Sequence, residues 1–474
     1  MFDIRTYCVI TYRTCILIVS GMIGGIPMSF SFNSCQQISL WDSANNLTAR
    51  EHRFLQKSWA IPFAEKIFPA IDETPYAVLY SEKDSRPNTP VNVIIGALIL
   101  KEMNGLTDEG LLNSLIFDIR YQVALHTTSF AEQPISDRTL SRFRERCLKY
   151  QRETGIDLLH DTMRNLAGVL ADLMHTDRTL LRMDSVMIES NIRRLSRLEL
   201  VYTCAMLAVK KAADSGNIPK HLQHYLDKTD YNETFYHSNV HETRILKDAA
   251  EAAEFLSTEN INCRENDQLE RVLQEQTVTD GENFSLCDAS QMNSRILQSP
   301  HDPDATFRRK LRSNHIGYAA NFLESPGENG SVILDYQYEQ NIYSGSRFLK
   351  DTVHAMGHQP QETVLVADGG YSGKCNSELA LSNNIRLINT NLTGEPNKKY
   401  LEYRRTDEFR KYARFRNGVE AIPSLLRRKY RIDCMPVRGK LSTAFFFGCK
   451  IGAINVSKFC RWIQSSDLCT LKQG

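Results

Sequence analysis

The feature that most limits the fold is a change of apolar period along the chain. Up to about residue 150 apolar side chains recur at helical spacing, and at 179–190 (TLLRMDSVMIES) the pattern switches to the alternation of a strand. A helical run followed by mixed strands and helices must bury two kinds of apolar face, which argues for two domains. The expected fold class is therefore mixed α/β. An all-α N-terminal domain over 28–150 leads through a connecting helix at 151–178 into an α/β domain over 179–465, and 474 residues suffice for both.

Local signals fill in this outline. Helical candidates lie around 50–70. Pro90 opens VNVIIGALILKEMNG, dense enough in apolar residues for a buried helix, with Gly105 as its stop. Thr107 is expected to cap a single helix, TDEGLLNSLIFDIRYQVAL, with Asp108 and Glu109 suited to its N-terminus. Ser136 caps SDRTLSRFRERCLKY, where Leu140, Phe143 and Cys147 form an apolar stripe among Arg138, Arg142, Arg144, Arg146 and Lys149. That face is either solvated or laid on DNA phosphates. After the strand at 179–190, helix returns from about 195 to 276 as a helical insertion, about 195–290, beside the sheet. Strand signals resume at 304–324. A turn at 326–330 and SVILDYQY make a hairpin, followed by helix, strand (ETVLVAD), turn (GGYSG), helix and strand (NIRLINT). The last 60 residues read as helical and basic.

Composition excludes several classes. A net charge of +1 does not announce a nucleic-acid partner, but 398–440 carries 14 Lys or Arg against 5 Asp or Glu, and Arg308, Arg309, Lys310 and Arg312 cluster as well. None of the twelve cysteines forms a CxxC pair and no Cys/His cluster has zinc spacing, so reduced structural thiols in a cytoplasmic protein are expected. Residues 16–26 (ILIVSGMIGGI), behind Arg5 and Arg13, mimic a signal peptide but fall short of the roughly 20 residues of a membrane span. The favoured reading is that translation starts at Met28 and that 1–27 is a doubtful extension. There is no Walker-type loop and no GxSxG elbow.

Three carboxylates carry the chemistry. Asp184 sits in an apolar strand, where an unpaired carboxylate is costly. Asp368 ends the VLVA strand before two glycines that let the chain turn, at the strand end where ligands and ions gather in α/β sheets. Glu420 is expected on a helix face shared with Arg416 and Arg427. Each alone has an ordinary explanation: a hydrogen-bonded buried Asp, a turn residue, a surface ion pair. Together they suit two divalent ions about 4 Å apart, which would activate an attacking oxygen and stabilise the leaving one at a phosphodiester. Magnesium prefers such oxygen ligands. His301, Asp302 and Asp304 read as a loop entering a strand and not as a metal site, and Glu189 falls on the face opposite Asp184.

The combination resembles the DDE transposases of bacterial insertion sequences, with their ribonuclease-H-like catalytic domain. RMDSVMIESNI is similar to the family's first-Asp strand and VADGGYSG to its second-Asp turn. RNGVEAIPSLLRRKY, with MPVRG and FFFGCKIGAINVSK, is similar to the block around its last Glu. DPDATFRRK and HIGYAANFLE resemble the intervening strands. SRPNTPVNVIIGALILKEMNGLTDEGLL and SDRTLSRFRERC resemble the helical N-terminal domain. Around the last acid the family's Tyr position holds Ala413, with Tyr412 one residue away, and its Lys position holds Arg427.

The resemblance implies a ribonuclease-H-like domain with a helical insertion and metal-dependent cleavage at mobile-element ends followed by strand transfer. Asp184, Asp368 and Glu420 would bind Mg²⁺, with Mn²⁺ expected to substitute. Double-stranded DNA would be held by Arg416, Arg427, Arg138, Arg142, Arg146, Arg308 and Lys310. A homodimer or larger assembly on DNA, a cytoplasmic location and no membrane association are expected. The alternatives are a ribonuclease-H-like nuclease that cuts without rejoining and a transposase-derived DNA-binding protein without catalysis.

Overall fold

A computed structural model describes residues 29–33, 42–81, 87–130, 132–214, 216, 218–237, 240–280, 283–310, 313–392 and 398–470. The expected start at Met28 and the extension before it lie outside these residues.

The N-terminal part is helical, as expected. Helix α1 (Ala49–Gln56) starts in a reciprocal Thr48–Glu51 capping box. Helix α2 (Val91–Asn104) follows Pro90 and ends on Gly105, whose φ of 66° supplies the left-handed stop. Helix α2 is buried on nearly every side, so its sequence shows no amphipathic stripe. The single helix expected after Thr107 is instead two, α3 (Asp108–Phe117) and α4 (Ile119–Ala124). Asp118 causes the break: its backbone is extended, and its carboxylate accepts from the Arg120 N–H (3.0 Å) and pairs with the Arg120 guanidinium (2.6 Å). Helix α5 (Asp137–Thr154), capped by Ser136, buries the expected Leu140, Phe143 and Cys147 stripe, and α6 (Leu158–Leu173) leads to the sheet.

Strand β1 (Leu180–Glu189) is the pivot of a six-stranded mixed sheet. The insertion follows it. Helices α7 (Arg197–Ala213), α8 (Glu242–Thr258) and α9 (Arg264–Gln276) enclose an apolar core of their own. The insertion also contains an unexpected hairpin, β2 (Thr277–Asp280) with β3 (Asn283–Leu286). The sheet resumes with β4 (Thr306–Lys310), β5 (Ser313–Gly327) and β6 (Gly330–Gln340). Strand β5 runs antiparallel to β1, β4 and β6. The β5–β6 turn is tighter than expected, because Gly327 pairs with Gly330 around Glu328 and Asn329. On the other side of β1 lie the parallel strands β7 (Thr363–Asp368) and β8 (Ile385–Thr390). Helices α10 (Gly345–Met356) and α11 (Lys374–Ser382) make the crossovers. Then come α12 (Lys398–Arg404), α13 (Asp407–Asn417), α14 (Ala421–Arg428) and α15 (Lys440–Thr470).

Side-chain alternation divides β1 between two cores. Leu181, Met183 and Met187 pack with Phe348 and Leu349 of α10 and Ala380 of α11. Val186 and Ile188 join a larger cluster that also takes in Phe63, Ile94 and Phe143 of the N-terminal helices and Phe447 and Ile454 of α15. The N-terminal helices and one sheet face therefore share one apolar core, cemented by α15. The C-terminal segment was expected to be helical and basic, yet α15 is mostly a buried apolar helix, and the cations concentrate before it.

Candidate active site

Arg182 and Asp184 alternate with the buried Leu181 and Met183, and so point to the sheet face that α13 covers. Strand β1 pairs with β7 so that Arg182 lies opposite Val366. Continuing that register by two residues sets Asp184 beside Asp368 at the end of β7. The Asp368 carboxylate accepts from the Gly369 N–H at 2.8 Å, opening a 3-10 turn (Gly369–Tyr371). Tyr371 anchors the turn from beneath: its hydroxyl donates to Asn321 Oδ1 of β5 at 2.8 Å. Burial pushes the Tyr371 phenol well above its ordinary value, so it remains a neutral donor. The two glycines do make a tight turn, as expected, though neither has positive φ. Gly369 is needed for closeness instead, since a Cβ there would stand 2.2 Å from the Asn391 carbonyl oxygen.

The third carboxylate arrives differently from the expectation. Glu420 ends a 3-10 turn (Gly418–Glu420) between α13 and α14, so the single helix expected to present Arg416, Glu420 and Arg427 on one face is interrupted. Gly418 in this turn lies close against Arg182, where a Cβ would meet Nη1 at 2.2 Å. Arg416 and Glu420 still meet, whereas Arg427 turns away to the Met187 carbonyl (3.0 Å) and Asp433 (3.2 Å).

All three carboxylates converge on the buried Arg416 guanidinium. Nη2 lies 3.4 Å from Asp184 Oδ2 and 3.8 Å from Asp368 Oδ2, and Nη1 lies 2.6 Å from Glu420 Oε1. Burial raises the Asp184 pKa above the ordinary carboxylate value. The Arg416 charge and the Ser185 N–H oppose that rise, and the neighbouring Asp368 charge adds to it. Arg416 Nε is buried without a hydrogen-bond partner. The guanidinium is thus held by charge more than by a filled set of hydrogen bonds.

An all-oxygen donor set of three carboxylates suits a hard divalent cation. Among the described residues, however, no three His, Cys, Asp or Glu side chains stand together as a ready-made metal cage. Arg416 neutralises the acids in the arrangement seen. Glu420, 61% exposed on a short turn, is the member freest to change partners.

The remaining basic candidates scatter. Arg138 and Arg142 are exposed on α5, while Arg146 lies over the Tyr80 ring at 5.0 Å. Arg308 donates to the Asn341 (2.8 Å) and Tyr343 (3.1 Å) carbonyls. Lys310 is exposed at the end of β4, near enough for its charge to act on Asp184. The residues set aside have structural duties. Asp302 is fully buried and accepts from Ser190 Oγ, the Tyr318 hydroxyl (2.5 Å) and the Gly439 N–H (3.2 Å), and Glu189 pairs with His315 (2.6 Å).

One group escaped the sequence reading. Arg182 Nε donates to Glu324 Oε2 at 2.6 Å and its Nη1 to the Phe415 carbonyl at 2.8 Å, bracing α13 from the strand that bears Asp184. Lys458 of α15 reaches the other Glu324 oxygen at 3.1 Å. The signal available was an arginine two residues before Asp184 on the same strand face.

Residues 49–146 match the family model described as a transposase domain (DUF772), which spans α1 to most of α5 and supports a transposase. No curated protein matches the chain, and no solved structure matches it. Among the described residues, no helix is long and apolar enough to cross a membrane.

Proposed function

We propose that this transposase is a DDE enzyme: it cleaves DNA at mobile-element ends and joins the freed 3′-hydroxyl to target DNA, with Asp184, Asp368 and Glu420 as its acidic triad. The observation that carries the reading is the convergence of the three carboxylates, drawn from two strands and a turn, on one buried guanidinium. The mixed sheet, with antiparallel strands on one side of β1 and parallel strands on the other, is compatible with the α/β catalytic domain that the resemblance implies.

In this reading Asp184, Asp368 and Glu420 would hold Mg²⁺, or Mn²⁺ in its place. Bound there, such ions would supply charge stabilisation for an in-line displacement at a phosphodiester. The chain's own part is to hold two acids rigidly on adjacent strands and the third on an exposed turn. Arg416 balances their charge before substrate arrives and is then placed to meet a non-bridging phosphate oxygen. Double-stranded DNA is the substrate, and two element ends brought together would call for a homodimer or larger assembly in the cytoplasm.

The deciding experiment is Asp368→Asn in a Mg²⁺-dependent cleavage and strand-transfer assay. Cleavage should vanish with DNA binding nearly intact, and full residual cleavage overturns the assignment. Cutting without joined products would favour a nuclease. Binding without cutting in the unaltered chain would favour a DNA-binding derivative.

A further inference from the structure

A cleft of about 790 Å³ opens between the tail of the insertion and the sheet edge, lined by Arg295, Arg308 and Arg347. Its walls are braced. The Phe307 N–H of β4 donates to the Ser294 carbonyl at 3.1 Å, and Arg271 Nη2 donates to the Arg295 carbonyl at 2.8 Å. The turn that carries Arg295 is thereby held against the strand. On the facing wall Arg308 is fixed by the Asn341 and Tyr343 carbonyls, and the Arg347 guanidinium lies 5.7 Å from the Tyr343 ring centroid. The acidic lining residue, Glu275, is already engaged by Arg271 (2.8 Å) and the Leu297 N–H (2.6 Å). Arg295 and Arg347 are exposed, and among the described residues neither forms an ion pair.

The cleft adjoins the acidic site. Gly345, which begins α10 behind the lining residue Ser344, packs so closely on the turn after Asp368 that a Cβ there would stand 2.7 Å from the Gly370 carbonyl oxygen.

We propose that the cleft holds backbone phosphates of the DNA strand leaving the acidic site, so that the insertion grips substrate together with the sheet. This rests on the transposase reading. Exposed guanidinium groups with no ion pair among the described residues match an anion, and their planar forks fit phosphate oxygens. The cleft is open to the surface, which suits a continuing strand better than an enclosed small molecule.

The test uses the full chain and a labelled 40-bp duplex of arbitrary sequence, titrated over a series of salt concentrations. Each lost phosphate contact should flatten the slope of log K against log salt by about 0.9. Arg295→Gln with Arg347→Gln should therefore flatten it by roughly 2. Arg295→Lys with Arg347→Lys should retain the unaltered slope, because charge and not fold is at issue. Arg308 stays unaltered because it braces the wall. An unchanged slope in the glutamine variant overturns the proposal. If the unaltered chain cuts DNA with Mg²⁺ while that slope stays put, the cleft alone is wrong. If it neither binds nor cuts, the transposase reading falls and this proposal falls with it.

Discussion

Arg182 and Glu324 face each other across the β1–β5 pair and are joined by a 2.6 Å charge-assisted hydrogen bond, with Glu324 only 1% exposed. Burial pushes the Glu324 carboxyl up, but the Lys458 and Arg182 charges, with hydrogen bonds from Arg182 and Ser331, outweigh it, and the net pKa is lowered. The same arginine holds the Phe415 carbonyl, one residue before Arg416. The pair thus ties the charge balance of the interior to the placement of the acidic site.

Arg182→Met should therefore be costly. Removing one partner leaves Glu324 buried beside Lys458 alone, and breaking such a pair costs roughly 3–5 kcal/mol. Urea unfolding should record that loss, and the triple variant Arg182→Met, Glu324→Leu, Lys458→Met should recover much of it, since Lys458 would otherwise stay buried without its counter-charge. Cleavage should not recover in the triple variant, because the Phe415 carbonyl remains unheld. A triple variant restored in both respects would show that the bond to Phe415 has no bearing on the site.

Asp184 predicts an opposite pH effect. Its folded pKa is raised above the ordinary value of 3.8, so its charged form weakens the fold, and stability falls as pH rises through that raised pKa. Asp184→Asn should accordingly unfold at a higher temperature than the unaltered chain at pH 7. The advantage should fade as the pH falls to where Asp184 takes up its proton. Melting curves from pH 4 to pH 7 decide this. If the asparagine variant is no more stable at any pH, Asp184 is better compensated by Arg416 than the geometry implies.

Mg²⁺ should raise the melting temperature of the unaltered chain, since a ligand that binds only the folded form stabilises it, by about 2.7 kcal/mol at one hundred times its Kd. Asp184→Asn and Asp368→Asn should lose this response, and chelation should reverse it. An equal Mg²⁺ response in both variants would place the ion elsewhere.

These features differ in how openly the sequence declares them. Asp184 and Asp368 were legible because strand alternation and a strand-end Asp-Gly-Gly are local patterns. The buried helix α2 was legible for the same reason, from its unbroken apolar run between Pro90 and Gly105. The break at Asp118 was hidden because an apolar run continues through it, and only the side-chain bond to Arg120 gives it away. The turn at Glu420 was hidden because Gly418 keeps helical backbone angles, and the neighbour that lies against it, Arg182, is far away in sequence. For the same reason no local period could show that α15 unites the N-terminal helices with the sheet in one core.

His160 carries a further pH dependence, at the joint between α6 and the sheet. Its Nε2 lies 2.8 Å from Asp335 Oδ1. Burial lowers the imidazole pKa, but the bond to Asp335 and that carboxylate's charge prevail, and the net shift is upward. The stability from this pair is then complete below pH about 6.5 and lost as pH rises through the folded pKa. His160→Asn should remove that decline, so its melting temperature should vary less than that of the unaltered chain between pH 6 and pH 9. Parallel curves for the two proteins would exclude His160 as the source.

Gly369 offers the sharpest separation of fold from site. Its φ is ordinary, so alanine is not strained there by backbone conformation. The obstacle is contact: a Cβ would lie 2.2 Å from the Asn391 carbonyl oxygen and 2.8 Å from the Asn391 carbonyl carbon. Backbone cannot give way as a flexible side chain can, so the turn after Asp368 must move, and the carboxylate with it. A shift of this kind at a reacting group can cost on the order of 10²-fold in rate. Gly369→Ala should therefore cut far less efficiently while binding duplex DNA as before. Gly370→Ala, which meets nothing within 4 Å, should cut normally and serves as its control.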